Sequence, residues 1–176
     1  YIFMGGGLGS IEGLIASCFH ILVHACCKPL LFLCAGRLSA VSGHHKSLKN
    51  LRGSAYRDIG AGLGFTVGAL SMIGIPLFGG FVSKLYFASA SLHTSDRTAI
   101  ILLVLAVSTV LNALYYVPAV LAIWSPGSEE KLASLPPMEP DWGFRVSTLV
   151  SIAAVFALGI LYDPAVDIIE AGISMM

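Results

Sequence analysis

Charge is what this chain has least of. Only 11% of its 176 residues are Asp, Glu, Lys or Arg, where an average soluble domain carries roughly 25%. Hydrophobic residues make up 56%, and the mean hydropathy is +0.85. That shortage excludes an ordinary water-facing surface. The ten basic and ten acidic residues cancel, which removes the positive excess that nucleic-acid binding requires. No glycine-rich nucleotide loop and no cluster of redox ligands is present, so neither enzyme chemistry nor a cofactor is expected in this chain itself. The four cysteines, Cys18, Cys26, Cys27 and Cys34, all fall in the first apolar run. One helix cannot bring them into disulfide geometry, and they are expected to be small buried hydrophobes. The opening Tyr1-Ile2-Phe3-Met4 has no basic stretch ahead of an apolar core. No signal peptide is therefore expected, and the chain reads as the C-terminal piece of something longer.

Apolar runs are what the chain has in abundance. Crossing about 30 Å of hydrocarbon takes roughly 20 helical residues, and four stretches are long enough: span A from Ile11 to Gly36, span B from Ile59 to Ser91, span C from Thr98 to Trp124 and span D from Phe144 to Tyr162. The fold class expected is therefore an all-α membrane protein, a bundle of four transmembrane helices forming one region over residues 1–176. Basic residues fix its orientation, because Lys and Arg favour the cytoplasmic side in short loops. The A–B loop, residues 37–58, has five (Arg37, Lys46, Lys49, Arg52, Arg57), and the C–D region has Lys131 and Arg145. The B–C loop has only Arg97 and the tail from Asp163 has none. Loops 37–58 and 125–143 are therefore expected in the cytoplasm. Trp124, Trp142 and Tyr162 at span ends fit an aromatic belt.

Span B is too long for one straight crossing, and it carries Gly74-Ile75-Pro76-Leu77-Phe78-Gly79-Gly80 near its middle. Pro76 has no N–H to donate and clashes with the preceding turn, while Gly74, Gly79 and Gly80 weaken the helix on either side. A broken helix is expected here. Such a break strands backbone groups, tolerable at membrane depth only where protein or a wet cavity satisfies them. Lys84 follows four residues after Gly80, with Ser83 beside it.

Span A carries ionisable groups where a lipid-facing helix would have none. His20, His24 and Lys28 recur every fourth residue, so on an α-helix they share one face, drifting about 80° over two steps. Charges near a bilayer centre cost from about 2.5 to above 10 kcal/mol, so such residues turn inward and mark ion pathways. Span C adds Ser108, Asn112 and Tyr116 at the same spacing, with Tyr115 beside them. These four are candidate linings for a water chain, or interhelical glue. Proton relay needs groups that change charge near neutral pH. Histidine does so near pKa 6.5, and a lysine does so where burial brings it down from about 10.4. Successive members of the row stand about 6 Å apart along the helix, so bound water must link them.

At this point the residues match a known family. His20-x-x-x-His24-Ala25-x-x-Lys28, continuing Leu30-Leu31-Phe32-Leu33 and closing Ala35-Gly36, resembles the histidine/lysine helix of antiporter-like membrane subunits. Those subunits occur in respiratory complex I (NADH:quinone oxidoreductase), Mrp-type sodium/proton antiporters and membrane-bound hydrogenases. Ser71-x-Ile73-Gly74-Ile75-Pro76, followed by Gly80-Phe81-x-Ser83-Lys84, resembles the same family's broken helix with its functional lysine. The resemblance implies a fold of fourteen core helices with two inverted repeats, of which spans A to D would be the last four. It also implies that His20, His24 and Lys28 connect two half-channels, with Lys84 in the second. A multi-pass protein of the cell inner (plasma) membrane is implied, working with lipid and other membrane subunits. It would carry protons, with sodium/proton exchange as the variant. Any electron carriers would belong to other subunits. Pro29 stands where the family usually has Ala, and a kink beside Lys28 is expected from it.

Two other readings use the same residues. His20, His24 and Cys27 would present zinc ligands from turn to turn, as in a divalent-metal transporter. Against that, a metal cation disfavours a neighbouring lysine ammonium and no acid lies close in the sequence, so no metal is expected. A non-transporting assembly subunit is the third. Titratable residues in two separate spans argue against it, since scaffolding alone does not offset their insertion cost.

Overall fold

The computed structural model describes residues 1–45, 47–92, 98–127 and 141–175. Lys46, Arg97 and Lys131, used in the orientation argument, lie outside the described residues. Those described form helices joined by turns, with no strand among them. They are α1 (Ile2–Gly7), α2 (Ile11–Ala40), α3 (Ser54–Arg57), α4 (Ile59–Ile73), α5 (Gly79–Leu92), α6 (Thr98–Trp124), α7 (Trp142–Ile160) and α8 (Asp163–Ser174). Three of them, α2, α6 and α7, are long and apolar enough to cross a membrane.

Helix α2 is the hub, packing against α1, α4, α5, α7 and α8. The Ser10 hydroxyl caps it by accepting from the Gly13 N–H at 3.1 Å. Glu12 in its first turn and Arg37 in its last complement the helix dipole. It runs to Ala40 rather than stopping at Gly36, because the apolar run ends where hydrocarbon ends and the helix continues into polar residues. It also runs on through Pro29 as one helix. Among the cysteines, Cys27 and Cys34 are buried, but Cys18 is exposed. The expectation of four buried cysteines is corrected there: Cys18 falls on a face of α2 that no other described helix covers.

Lipid tails are as apolar as leucine, so helices in a bilayer associate by close packing rather than by hydrophobic expulsion. Helix α4 supplies the small residues this needs. Gly64 lies against Cys34 and Leu30 of α2, and Gly68 lies against Leu31. The core formed this way centres on Phe19, Val23, Cys27 and Leu30 of α2 with Val155 of α7. Helix α6 closes the other side, with Tyr116 packed among Leu31, Ala69 and Ile73.

Span B divides where the glycines and Pro76 predict. Helix α4 ends on Gly74, whose φ of 90° lies in the left-handed region that favours glycine. The Gly74 N–H reaches the Ser71 carbonyl and the Ile75 N–H the Leu70 carbonyl, at 3.0 and 3.1 Å, which is a Schellman closure. Pro76 sits in the connection, and α5 opens at Gly79. The second half packs hard against the first: a Cβ at Gly80 would run into the Ser71 carbonyl. Gly80 instead donates its N–H to Ser71 Oγ at 3.3 Å.

The loop ends sort by charge. Tyr56 Oη donates to the Trp124 carbonyl at 2.9 Å, and Arg37, Asp58 and Arg145 line one crevice. The end of α2, the start of α4, the end of α6 and the start of α7 therefore meet at one end of the bundle. Helix α8 was not anticipated, since the tail has no apolar run of spanning length. It is amphipathic instead: Val166, Ile169 and Ile173 pack inward, while Asp163, Asp167 and Glu170 are exposed near the opposite end.

Candidate functional site

The α4–α5 break holds the lysine that follows it. Lys84 Nζ donates to the Ile73 carbonyl at 2.6 Å and to Thr109 Oγ1 of α6 at 2.7 Å. Ile73 is the last residue of α4, so its carbonyl has no helical N–H to accept from. The carbonyl end of a helix also carries negative partial charge. The ammonium thus sits where the broken backbone needs a donor and favours a cation. Thr109 in turn donates to the Leu105 carbonyl at 2.8 Å, which leaves its oxygen to accept from Lys84.

Ser83, buried beside Lys84, joins this centre to α2. His20 Nδ1 and Ser83 Oγ are hydrogen-bonded at 2.7 Å. The His20 ring stacks at 4.6 Å on Tyr1, and the Tyr1 phenol donates to Ser108 at 2.8 Å. One turn further on, the His24 ring lies 5.9 Å from His20, on an exposed stretch of α2. Lys28 Nζ approaches Tyr116 Oη at 3.5 Å.

Two rows therefore run side by side. His20 meets Ser108 through Tyr1, and Lys28 meets Tyr116 directly. Both pairs are separated by the same eight residues, about 12 Å of helix. Equal spacing on parallel helices puts Asn112, which is half-buried, level with His24. Tyr115 stands apart: it is 73% exposed and meets Tyr116 edge-on. The two lysines are not brought together, since their α6 partners Thr109 and Tyr116 lie seven residues, roughly 10 Å, apart along the helix.

The zinc trio is not gathered either. The Cys27 thiol is buried and donates to Ser71 Oγ at 3.1 Å, while His20 faces Ser83. Among the described residues no three His, Cys, Asp or Glu side chains stand close enough to hold a metal. Sequence reasoning passed over Tyr1 and Thr109, and it quoted Ser71 only as part of the broken-helix motif. Thr109 was findable, because a half-buried ammonium demands an oxygen partner and Thr109 adjoins the polar row of α6. Tyr1 carried no signal, as nothing in the sequence says that its ring reaches α2.

A helical bundle with three helices long and apolar enough to span a bilayer, and with half-buried lysines at a helix break and on the neighbouring helix, is a multi-pass membrane protein. Residues 1–111 match the family described as NADH:quinone oxidoreductase/Mrp antiporter, TM. The chain belongs to that family. It is 30% identical over 154 residues to NADH-quinone oxidoreductase subunit 14 of Thermus thermophilus, covering 88% of this chain and 34% of that protein. It is 27% identical over 180 residues to NADH-quinone oxidoreductase subunit N of Anaeromyxobacter sp., covering 99% and 34%. Subunit N of Phocaeicola vulgatus is 25% identical over 164 residues, covering 92% and 33%. The chain thus spans about a third of the length of these curated relatives.

Proposed function

We propose that this chain is the part of a proton-translocating membrane subunit that carries its second half-channel. The observation that carries the reading is the seat of Lys84: an ammonium at a helix break, linked through Ser83 to the first member of the His20, His24 and Lys28 row. In this reading α4 and α5 form one interrupted crossing, so the residues here make four crossings of a fourteen-helix fold. The relatives' names supply the setting, a membrane subunit of an NADH-quinone oxidoreductase, with other membrane subunits and lipid as neighbours. Water bridges the gaps of about 6 Å that side chains leave. Residues of the longer protein cover the exposed face at His24. Vesicles holding the complete protein and a trapped pH-sensitive dye test the reading. Removing His20, His24 and Lys28 together should collapse proton flux, and flux intact in that variant would end it.

The orientation follows from charge. The described basic loop residues Arg37, Lys49, Arg52, Arg57 and Arg145 gather at one end, which this reading places in the cytoplasm of a cell whose inner membrane holds the protein. Ser47 is exposed beside that end and Ser174 is exposed at the end of α8. In a cysteine-free background, Ser47→Cys should resist an impermeant thiol reagent in whole cells while Ser174→Cys reacts. The reverse labelling pattern would invert the topology.

A further inference from the structure

The connection between α4 and α5 holds a leucine where its backbone calls for a glycine. Leu77 has a φ of 81°, in the left-handed region that bulky side chains rarely adopt. Its side chain gains no burial in return, since it is 64% exposed. A strained residue of this kind persists only where its surroundings over-determine it. What packs on the connection supplies that constraint.

The neighbour is α7. Gly159, in its last turn, lies so close to the Leu77 carbonyl that a Cβ there would run into it. Three residues earlier, the Phe156 ring packs on Phe78 at 4.9 Å. Gly79, which opens α5, is wedged between Leu158 of α7 and Val23 of α2. Gly159 is helical with no positive φ, so its own conformation does not demand glycine, and alanine would be the better helix former. Room for the Leu77 carbonyl is what the position requires.

The connection also decides where Lys84 stands. Its ammonium reaches back across the break to the Ile73 carbonyl, so the donor rides on α5 and the acceptor on α4, with residues 74–78 between them. The two halves also meet at the bond from Gly80 to Ser71, which at 3.3 Å is long for a hydrogen bond. Moving Leu77 and Phe78 therefore moves Lys84 Nζ against its acceptor. We infer that Gly159 is a positioning residue for Lys84: by admitting the Leu77 carbonyl, α7 sets the offset between the two half-helices and with it the reach of the ammonium to Ile73. Helix α7 contributes no group to the row of His20, His24 and Lys28 and acts on the site through the backbone alone. The inference rests on the proton-translocation reading.

The test is dye-reported proton flux in vesicles holding the complete protein at matched protein content. A Cβ at position 159 displaces the Leu77 peptide by about 1 Å before ordinary contact is restored. A displacement of that size costs up to about a hundredfold at a reacting group, and Gly159→Ala should lower flux about tenfold. In a Lys84→Ala background the same change should cost nothing further, because the lysine it acts through is gone. The pH dependence of flux in Gly159→Ala should also move by about one pH unit, since altered bonding to the ammonium changes its proton affinity. Fewer working molecules would instead scale flux alike at every pH. Phe156→Leu removes the ring on Phe78 without adding bulk and decides the matter if Gly159→Ala does not assemble. It should lose about threefold, within what an aromatic pair is worth, with the same dependence on Lys84. Ile160→Ala, at the next residue and 58% exposed, should leave flux unchanged. Full flux in Gly159→Ala, an unmoved pH dependence, or a loss that persists in full beside Lys84→Ala would overturn the inference alone. Near-normal flux in Lys84→Ala by itself would overturn the reading on which it rests.

Discussion

Replacing Lys84 with alanine in the complete protein should lower proton translocation by on the order of a hundredfold, the low end of what a positioned proton-transfer group contributes, while leaving assembly intact. The argument rests on what holds the side chain. Its ammonium is bound by the Ile73 carbonyl and the Thr109 hydroxyl, two neutral oxygens, with no carboxylate bonded to it among the described residues. A carboxylate would lock the proton in place. Neutral acceptors favour the charged form less strongly than a carboxylate would. Truncation also strands the Ile73 carbonyl, at a cost of about 1–3 kcal/mol unless water replaces the donor. That is too small to unfold a bundle whose core lies around α2. The measurement is dye-reported flux in vesicles at matched protein content. Near-normal flux would remove Lys84 from the mechanism, and a loss in step with falling protein content would make it a structural lysine.

The second large effect is a failure of additivity. His24→Ala should reduce flux severely, and adding Lys28→Ala should make it scarcely worse, because a broken relay has little left to lose. His24 is the sharper probe of the two, since it is exposed on α2 and its loss opens no cavity in this core. Separate packing roles predict losses that add in free energy. Flux for both single variants and the double, measured at equal assembly, separates the two cases.

Most of the fold was legible because membrane spans announce themselves by length and apolarity. Span C coincides with α6, and the limits of α7 fall within two residues of span D. The break was legible because Pro76 and the glycines act locally. Helix α8 was not, since its signal is amphipathic periodicity over 12 residues, too short and too charged to register as a span. The proton-carrying candidates could be named from their chemistry alone. Their partners could not: that Ser83 meets His20, or that Thr109 receives Lys84, depends on the rotation of α5 and α6 about their axes. No run of residues fixes such a rotation, which is set by packing against α2 and α4.

If α4 and α5 form the one interrupted crossing proposed above, the break also bears on how the chain enters a membrane. Its halves have 15 and 14 residues, about 22 and 21 Å of helix, each shorter than the roughly 30 Å of hydrocarbon. Neither half is a good insertion signal by itself, and the second brings an ammonium with it. During synthesis Lys84 emerges well before Thr109, so the lysine reaches the bilayer while one of its two oxygen partners does not yet exist. The partner already made is the Ile73 carbonyl, and the Ser71 hydroxyl that receives the Gly80 N–H precedes it. The hairpin of α4 and α5 can therefore close on itself and lean on α2 while waiting for α6. The bond from the Gly80 N–H to the Ser71 hydroxyl thus joins two half-helices that are both made before α6.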